Sequence, residues 1–152
     1  MYAPVFLTDQ LSCEAKEAGK FLASIAKTIQ KDSLPLKAPC AIICGGETIV
    51  RITGEGKGGR NQELALSAAE SISGMDGVVV AAVGSDGTDG PTNAAGGIVD
   101  GNTKTRLKEI GISIPAILAE NNSNYALAEA DALIMTGPTG TNVNDLYFLL
   151  CK

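Results

Sequence analysis

The hydrophobic pattern changes period several times along the chain. Ala3 to Leu7 reads as a short strand. Leu11, Ala15, Ala18, Leu22, Ile25 and Ile29 then recur at three- and four-residue spacing, which predicts a helix over Gln10 to Gln30 with Asp9 as its cap. Lys31 to Pro39 is a polar linker with two prolines. Ala41 to Cys44 is a strand, and Thr48 to Thr53 alternates like a second one, so the two are expected to pair as a hairpin across Gly45-Gly46-Glu47. A helix from Arg60 or Asn61 to Ser73 turns Leu64, Ala65, Ala68, Ala69 and Ile72 inward and stops at Gly74. Gly77 to Val83 is apolar throughout, the pattern of a central strand buried on both faces. Ile98 and Val99 form a short strand, and Thr103 to Ile110 a helix closed by Gly111. Glu120 to Ser123 reads as a capping segment for a helix over Asn124 to Ala130. Ala132 to Met135 and Leu146 to Cys151 complete the strands. Strands alternating with helices predict one α/β domain, a three-layer α/β/α arrangement around a mainly parallel, mixed sheet.

Composition narrows the chemistry. The 152 residues carry a net charge of −5, with no basic stripe for a nucleic acid. The apolar run Val78 to Val83 is far below the ~18 residues of a membrane helix. No basic segment precedes an apolar stretch at the start, so no secretory leader is read. Histidine is absent, which removes any His base or His metal ligand supplied by this chain. The four cysteines, Cys13, Cys40, Cys44 and Cys151, form no Cys-x-x-Cys pair and are expected as reduced thiols of a cytoplasmic protein. Fourteen of the 18 glycines lie between Gly45 and Gly101, a concentration that points to loops built from backbone.

Three of those loops suit oxyanions. Gly54-Glu55-Gly56-Lys57-Gly58-Gly59-Arg60-Asn61-Gln62-Glu63 follows a strand and opens a helix. Its glycines allow close approach of backbone, a helix N-terminus favours an anion, and Lys57 and Arg60 add charge. It is not a Walker A loop, because the Gly-Lys-Ser/Thr ending is missing. Arg60 is the strongest single candidate, since a guanidinium binds oxyanions with two parallel hydrogen bonds. The second loop, Gly84 to Asn93, leaves the most apolar strand. Its Asp86 and Asp89 suit Mg²⁺, or an Asp there accepts a hydroxyl proton during phosphoryl transfer. The third, Thr136 to Asp145, offers glycines, hydroxyls and amides after a strand. Glu47, at the end of another strand, is placed to reach the same face.

Together these segments resemble the C-terminal, MOFRL domain of the glycerate 2-kinases. The resemblance rests on Gly45-Gly46-Glu47-Thr48, on Gly54 to Glu63, on Asp86-Gly87-Thr88-Asp89-Gly90-Pro91-Thr92, on Ala95-Gly96 and Val99-Asp100-Gly101, and on Thr136 to Leu146. Ser85 stands where the family pattern leads one to expect threonine. The resemblance implies ATP- and Mg²⁺-dependent phosphorylation of D-glycerate in a cleft between two α/β domains. It implies Arg60 and Asp86 as catalytic residues, and Asp86 and Asp89 as metal ligands. Glu47, Gly56, Lys57, Gly58, Gly59, Asn61, Gly87, Thr139, Gly140, Thr141 and Asn142 would bind substrate or phosphate. The family is sometimes labelled hydroxypyruvate reductase, but no dinucleotide fingerprint is present here. Typical members carry a larger N-terminal domain with further binding groups, which this chain lacks. Either a separate polypeptide or a second copy of the chain would then complete the cleft. The alternative is a non-catalytic module that binds an anion or nucleotide.

Overall fold

The computed structural model describes all 152 residues. Its elements are β1 (Ala3–Leu11), α1 (Ala15–Asp32), β2 (Cys40–Gly46), α2 (Arg60–Ser71), β3 (Val78–Gly84), β4 (Gly96–Asp100), α3 (Thr103–Glu109), α4 (Ile114–Ala119), α5 (Ser123–Glu129), β5 (Leu133–Ile134) and β6 (Asp145–Cys151). The strands form one mixed sheet in the order β1-β2-β6-β3-β4-β5. The expected α/β class and single sheet hold. The parallel share does not: only β1 and β2 pair in parallel, and the other four pairs are antiparallel. The reason is topological. β1, β2, β3 and β5 do point the same way, as helical crossovers require. β6 inserts between β2 and β3, and β4 between β3 and β5, each running opposite.

The helices pack on one face. α1 amasses Ala15, Ala18, Leu22, Ala23, Ala26 and Ile29 on its buried side and crosses α2 closely at Gly19, where a Cβ would collide with the Leu64 carbonyl. α2 is buried along nearly its whole length, from Asn61 to Ala69, because α1, α4, α5 and the sheet all pack on it. The inward set Leu64, Ala65, Ala68, Ala69 and Ile72 is fully buried as expected. Each Leu or Ile of this core contributes about 1.5–3 kcal/mol by leaving water.

The second helical layer is absent. Val78, Val80 and Ala82 of β3 and Tyr147, Leu149 and Cys151 of β6 face the helices and are buried. Their alternates stay partly exposed, so β3 is covered on one face rather than two. Phe6, Ile43, Phe148, Ala81 and Ile98 make one cross-strand row on the bare face, with Phe6 64% and Ile98 45% exposed at its ends. An all-apolar strand cannot tell a covered face from a bare one.

Smaller expectations also change. Asp9 lies within β1, and α1 starts later, after Glu14. The segment Thr48 to Thr53 forms no hairpin; Ile49 makes only an isolated parallel bridge with Glu14. All four cysteines are free thiols, Cys13 exposed and the others buried. No helix is long and apolar enough to cross a membrane.

Candidate functional site

β2, β3 and β5 end, and β6 begins, at the same edge of the sheet. The segments after β2 and β3 enclose a cleft of about 810 Å³. Glu47 to Val50 and Ile52 form one wall, Gly56, Gly58, Gly59, Arg60 and Glu63 the floor, and Asp86 and Thr88 to Pro91 the other wall, with Asn121 closing one side. This is the position at which open α/β sheets bind ligands.

Arg60 is the first residue of α2 and the single cation of the cleft. Its Nε donates to Asp145 Oδ2 at 2.5 Å and its Nη2 to Asp145 Oδ1 at 3.3 Å. Nη1 donates to Glu47 Oε1 at 2.9 Å. Asp145 is buried, and the Tyr147 hydroxyl donates to it at 3.3 Å. The Asp145 hydrogen bond foremost raises the Arg60 pKa further, keeping the guanidinium charged. Burial pushes the Tyr147 hydroxyl up to about 12. Three of the five guanidinium N–H groups are therefore occupied, and two remain for a ligand.

The α2 N-terminus is not a free anion site. Asp89 is 3% exposed and occupies it. Its Oδ1 accepts from the Asn61 backbone N–H and side-chain amide at 3.1 and 3.2 Å. Its Oδ2 accepts from the Gln62 backbone N–H and side-chain amide, both at 2.9 Å. The charge an N-terminus attracts is thus supplied from within the chain. Burial raises the Asp89 pKa, and the donors on Gln62 and Asn61 oppose that shift. Asp89 was expected as a metal ligand; with four donors on two oxygens it is instead the cap of α2. Asn61, expected at the ligand, is buried and tied to that cap.

The glycine loop also differs from expectation. Cβ atoms at Gly54 and Gly56 would collide with Glu120 and Asn122, one at Gly58 with the Ser123 hydroxyl, and one at Gly59 with the Asp89 carboxylate. The space on that side is filled by protein, so these glycines serve chain-to-chain packing; Gly56, Gly58 and Gly59 still line the cleft. Asn121 is the staple. Its Oδ1 accepts from the Thr53 and Gly54 N–H groups at 2.6 and 2.9 Å. Its Nδ2 donates to Arg51 O at 3.1 Å and to Glu63 Oε1 at 2.7 Å. Asn122 Oδ1 accepts from the Lys57 N–H at 3.1 Å. The segment Glu120 to Ser123 therefore pins the loop rather than capping α5, whose cap residue Asn122 makes no side-chain cap bond. The exposed Lys57 side chain lies outside the cleft lining.

Asp86 sits on the opposite wall. Its Oδ1 accepts from the Thr88 N–H at 2.9 Å and hydroxyl at 3.1 Å, and those bonds foremost lower its pKa. Oδ2 is left without a partner in the chain. Gly87, at φ 87°, turns tightly against the Gly137 carbonyl. The third loop packs behind this turn: the Thr139 N–H donates to Asp86 O at 3.2 Å, and the Val143 N–H to Ser85 Oγ at 2.7 Å. Thr139, Gly140, Thr141 and Asn142 are exposed and stand outside the cleft lining. The three loops converge on one edge, as expected, but only two line the cleft.

No group of three or more Asp, Glu or Cys side chains is arranged to hold a metal ion. A dedicated protein cage is therefore not built. Mg²⁺ bound mainly by nucleotide phosphates needs only one or two carboxylates, and Asp86 with its unengaged Oδ2 suits that mode.

Asp145, Glu63 and Asn121 were not singled out from the sequence. Asp145 carried a legible signal: it is in phase with the inward residues Tyr147, Leu149 and Cys151, so its carboxylate had to meet a partner. Asn121 carried none, since its bonds span 58 to 70 residues of chain.

The MOFRL family model matches residues 40–145, and the chain belongs to that family. The chain is similar to the D-glycerate 2-kinase of Thermotoga maritima, 56% identical over 140 residues, covering 92% of this chain and 34% of that protein. It is 50% identical over 141 residues to the glycerate 2-kinase of Pyrococcus horikoshii, covering 92% and 32% of the two. Among solved structures, the glycerate kinase of Thermotoga maritima superposes with a TM-score of 0.98 at 53% identity, over 99% of this chain and 36% of that chain. The chain thus spans about a third of the length of these relatives.

Proposed function

We propose that this chain builds one wall of a glycerate kinase site, in which ATP phosphorylates D-glycerate. The observation that carries the reading is the Arg60 cleft, bordered by Asp86, in a fold that superposes on a glycerate kinase. Arg60 binds phosphoryl or carboxylate oxygens through its two free N–H groups, held in direction by Asp145. Asp86 faces it across the cleft and either accepts the substrate hydroxyl proton or holds Mg²⁺ through Oδ2. Mg²⁺, when bound with the nucleotide, neutralises charge on the phosphoryl oxygens.

The cleft lining holds one cation, Arg60, against four carboxylates, Glu47, Glu63, Asp86 and Asp89. Two anionic ligands need more positive charge than that. The remainder comes from outside these 152 residues, from a part equivalent to the other two thirds of the relatives or from a second copy. A module that binds an anion without chemistry is the second reading, favoured by the same one-sided charge.

The test is calorimetry of D-glycerate and Mg-ATP together with ADP release. Arg60→Ala is expected to weaken binding at least about tenfold, the scale of a charge-assisted pair. Arg60→Lys keeps the charge facing Asp145 and controls for unfolding, because removing Arg60 leaves a buried carboxylate unpaired. Equal affinity in all three proteins removes Arg60 from the site. Rapid glycerate-dependent ADP release by the chain alone overturns the need for a partner and keeps the kinase.

A further inference from the structure

Glu63 is a cleft carboxylate that neither bonds Arg60 nor caps α2. It is 2% exposed, yet it lines the cleft floor. Oε1 accepts from Asn121 Nδ2 at 2.7 Å. Oε2 makes no hydrogen bond within the chain and is not fully buried, so it opens into the cleft. Glu63 stands three residues after Arg60, on the same face of the first turns of α2, where Cβ atoms lie about 5–6 Å apart. A cation held by Asp145 and Glu47 and a lone acceptor held by Asn121 thus line one cleft.

We propose that Glu63 reads a hydroxyl of the ligand: Oε2 accepts the O–H of a short hydroxy acid whose anionic end rests on Arg60. The inference rests on the glycerate reading and goes further, naming the residue that separates a hydroxylated acid from a plain one. A carboxylate accepts and does not donate, so an O–H group satisfies it and a methyl group leaves it unpaired. Sites built to bond a hydroxyl reject analogues that lack it far more strongly than apolar pockets do.

The surroundings fix which way this acceptor can be altered. The Thr53 and Gly54 N–H groups hold Asn121 Oδ1, so Nδ2 must point at Glu63. In Glu63→Gln the amide oxygen is therefore pinned to Asn121, and the NH₂ group faces the ligand. The substitution keeps shape and the staple while turning an acceptor into a donor.

The experiment is calorimetry of the full chain with D-glycerate, lactate, 3-hydroxypropionate and propionate, for wild type and Glu63→Gln, with melting curves as the folding control. Wild type is expected to prefer D-glycerate to propionate by about tenfold or more. In Glu63→Gln a neutral N–H···O bond replaces the charge-assisted O–H···O⁻ one, so that preference is expected to fall below about threefold, while the loss of a cleft carboxylate favours all four anions alike. A role confined to structure shifts all four ligands together. An unchanged preference in Glu63→Gln overturns the assignment of Glu63 and leaves the kinase reading standing. Wild type that binds none of the four acids at millimolar concentration overturns the reading of this cleft as an acid site, and the Glu63 proposal with it.

Discussion

The loops at Gly54 to Gly59 and Thr136 to Asn144 have the same vocabulary of glycine and polar residues, and both follow strands toward one edge of the sheet. They end up in different circumstances. The first is stapled by Asn121 and Asn122, packed glycine to backbone, and lines the cleft. The second is exposed from Met135 to Asn144 and braces the Asp86 turn from behind. Glycine content marks where backbone needs freedom. It does not say whether a ligand or another stretch of protein takes up the space.

The contrast can be broken, most severely at the staple. Asn121→Ala releases two loop N–H groups and leaves the Glu63 carboxylate without its donor, so it is expected to cost about 2–4 kcal/mol in urea unfolding. Thr139→Ala in the other loop should cost less than about 1 kcal/mol. Next comes packing. Gly56→Ala is expected to destabilise by about 1–3 kcal/mol because its Cβ meets Asn122 and Glu120. Gly140→Ala meets nothing within 4 Å, and its cost of about 1 kcal/mol is the backbone strain of φ 77° alone. Reversed rankings would dissolve the distinction between the two loops.

The smallest effect is a pH slope. Burial raises the Glu63 pKa above its ordinary carboxylate value. The folded state therefore holds this proton to higher pH than the unfolded state. Its contribution to stability is fully present below the unfolded pKa and is lost as pH rises through the folded one. Wild type should lose more stability than Glu63→Gln on going from acid to neutral pH, and denaturant midpoints across that range measure it. Substitutions in the second loop, which has no titratable side chain between Met135 and Asn144, leave the slope alone.

Much of the fold was legible. Helix spacing located α1 and α2, because one-sided burial leaves a period in the sequence, and the Gly111 stop and the capping segment before Asn124 located α3 and α5, all within about five residues. α4 escaped notice because six residues with one buried isoleucine have too little period to read. The antiparallel insertion of β6 escaped because strand order in space is set by nonlocal pairing. At the site, Arg60 and Asp86 were legible from loop chemistry, and both line the cleft. Asp89 misled because a carboxylate near glycines reads alike whether it holds an ion or a helix end. For Lys57 and the Thr139 to Asn142 stretch the sequence shows the charge and the amides but not the direction in which a loop turns them, which is outside the lining of this cleft.

The place of β6 also has a meaning in time. It is the last strand of this sheet to leave the ribosome, yet it lies between β2 and β3 and supplies Asp145, the anchor of Arg60. Until residues 145 to 151 have emerged, β2 and β3 have no common neighbour and Arg60 no buried counter-charge. Vectorial synthesis thus withholds both the centre of the sheet and the orientation of the guanidinium to the end, and a nascent chain halted before Asp145 presents two unjoined half-sheets.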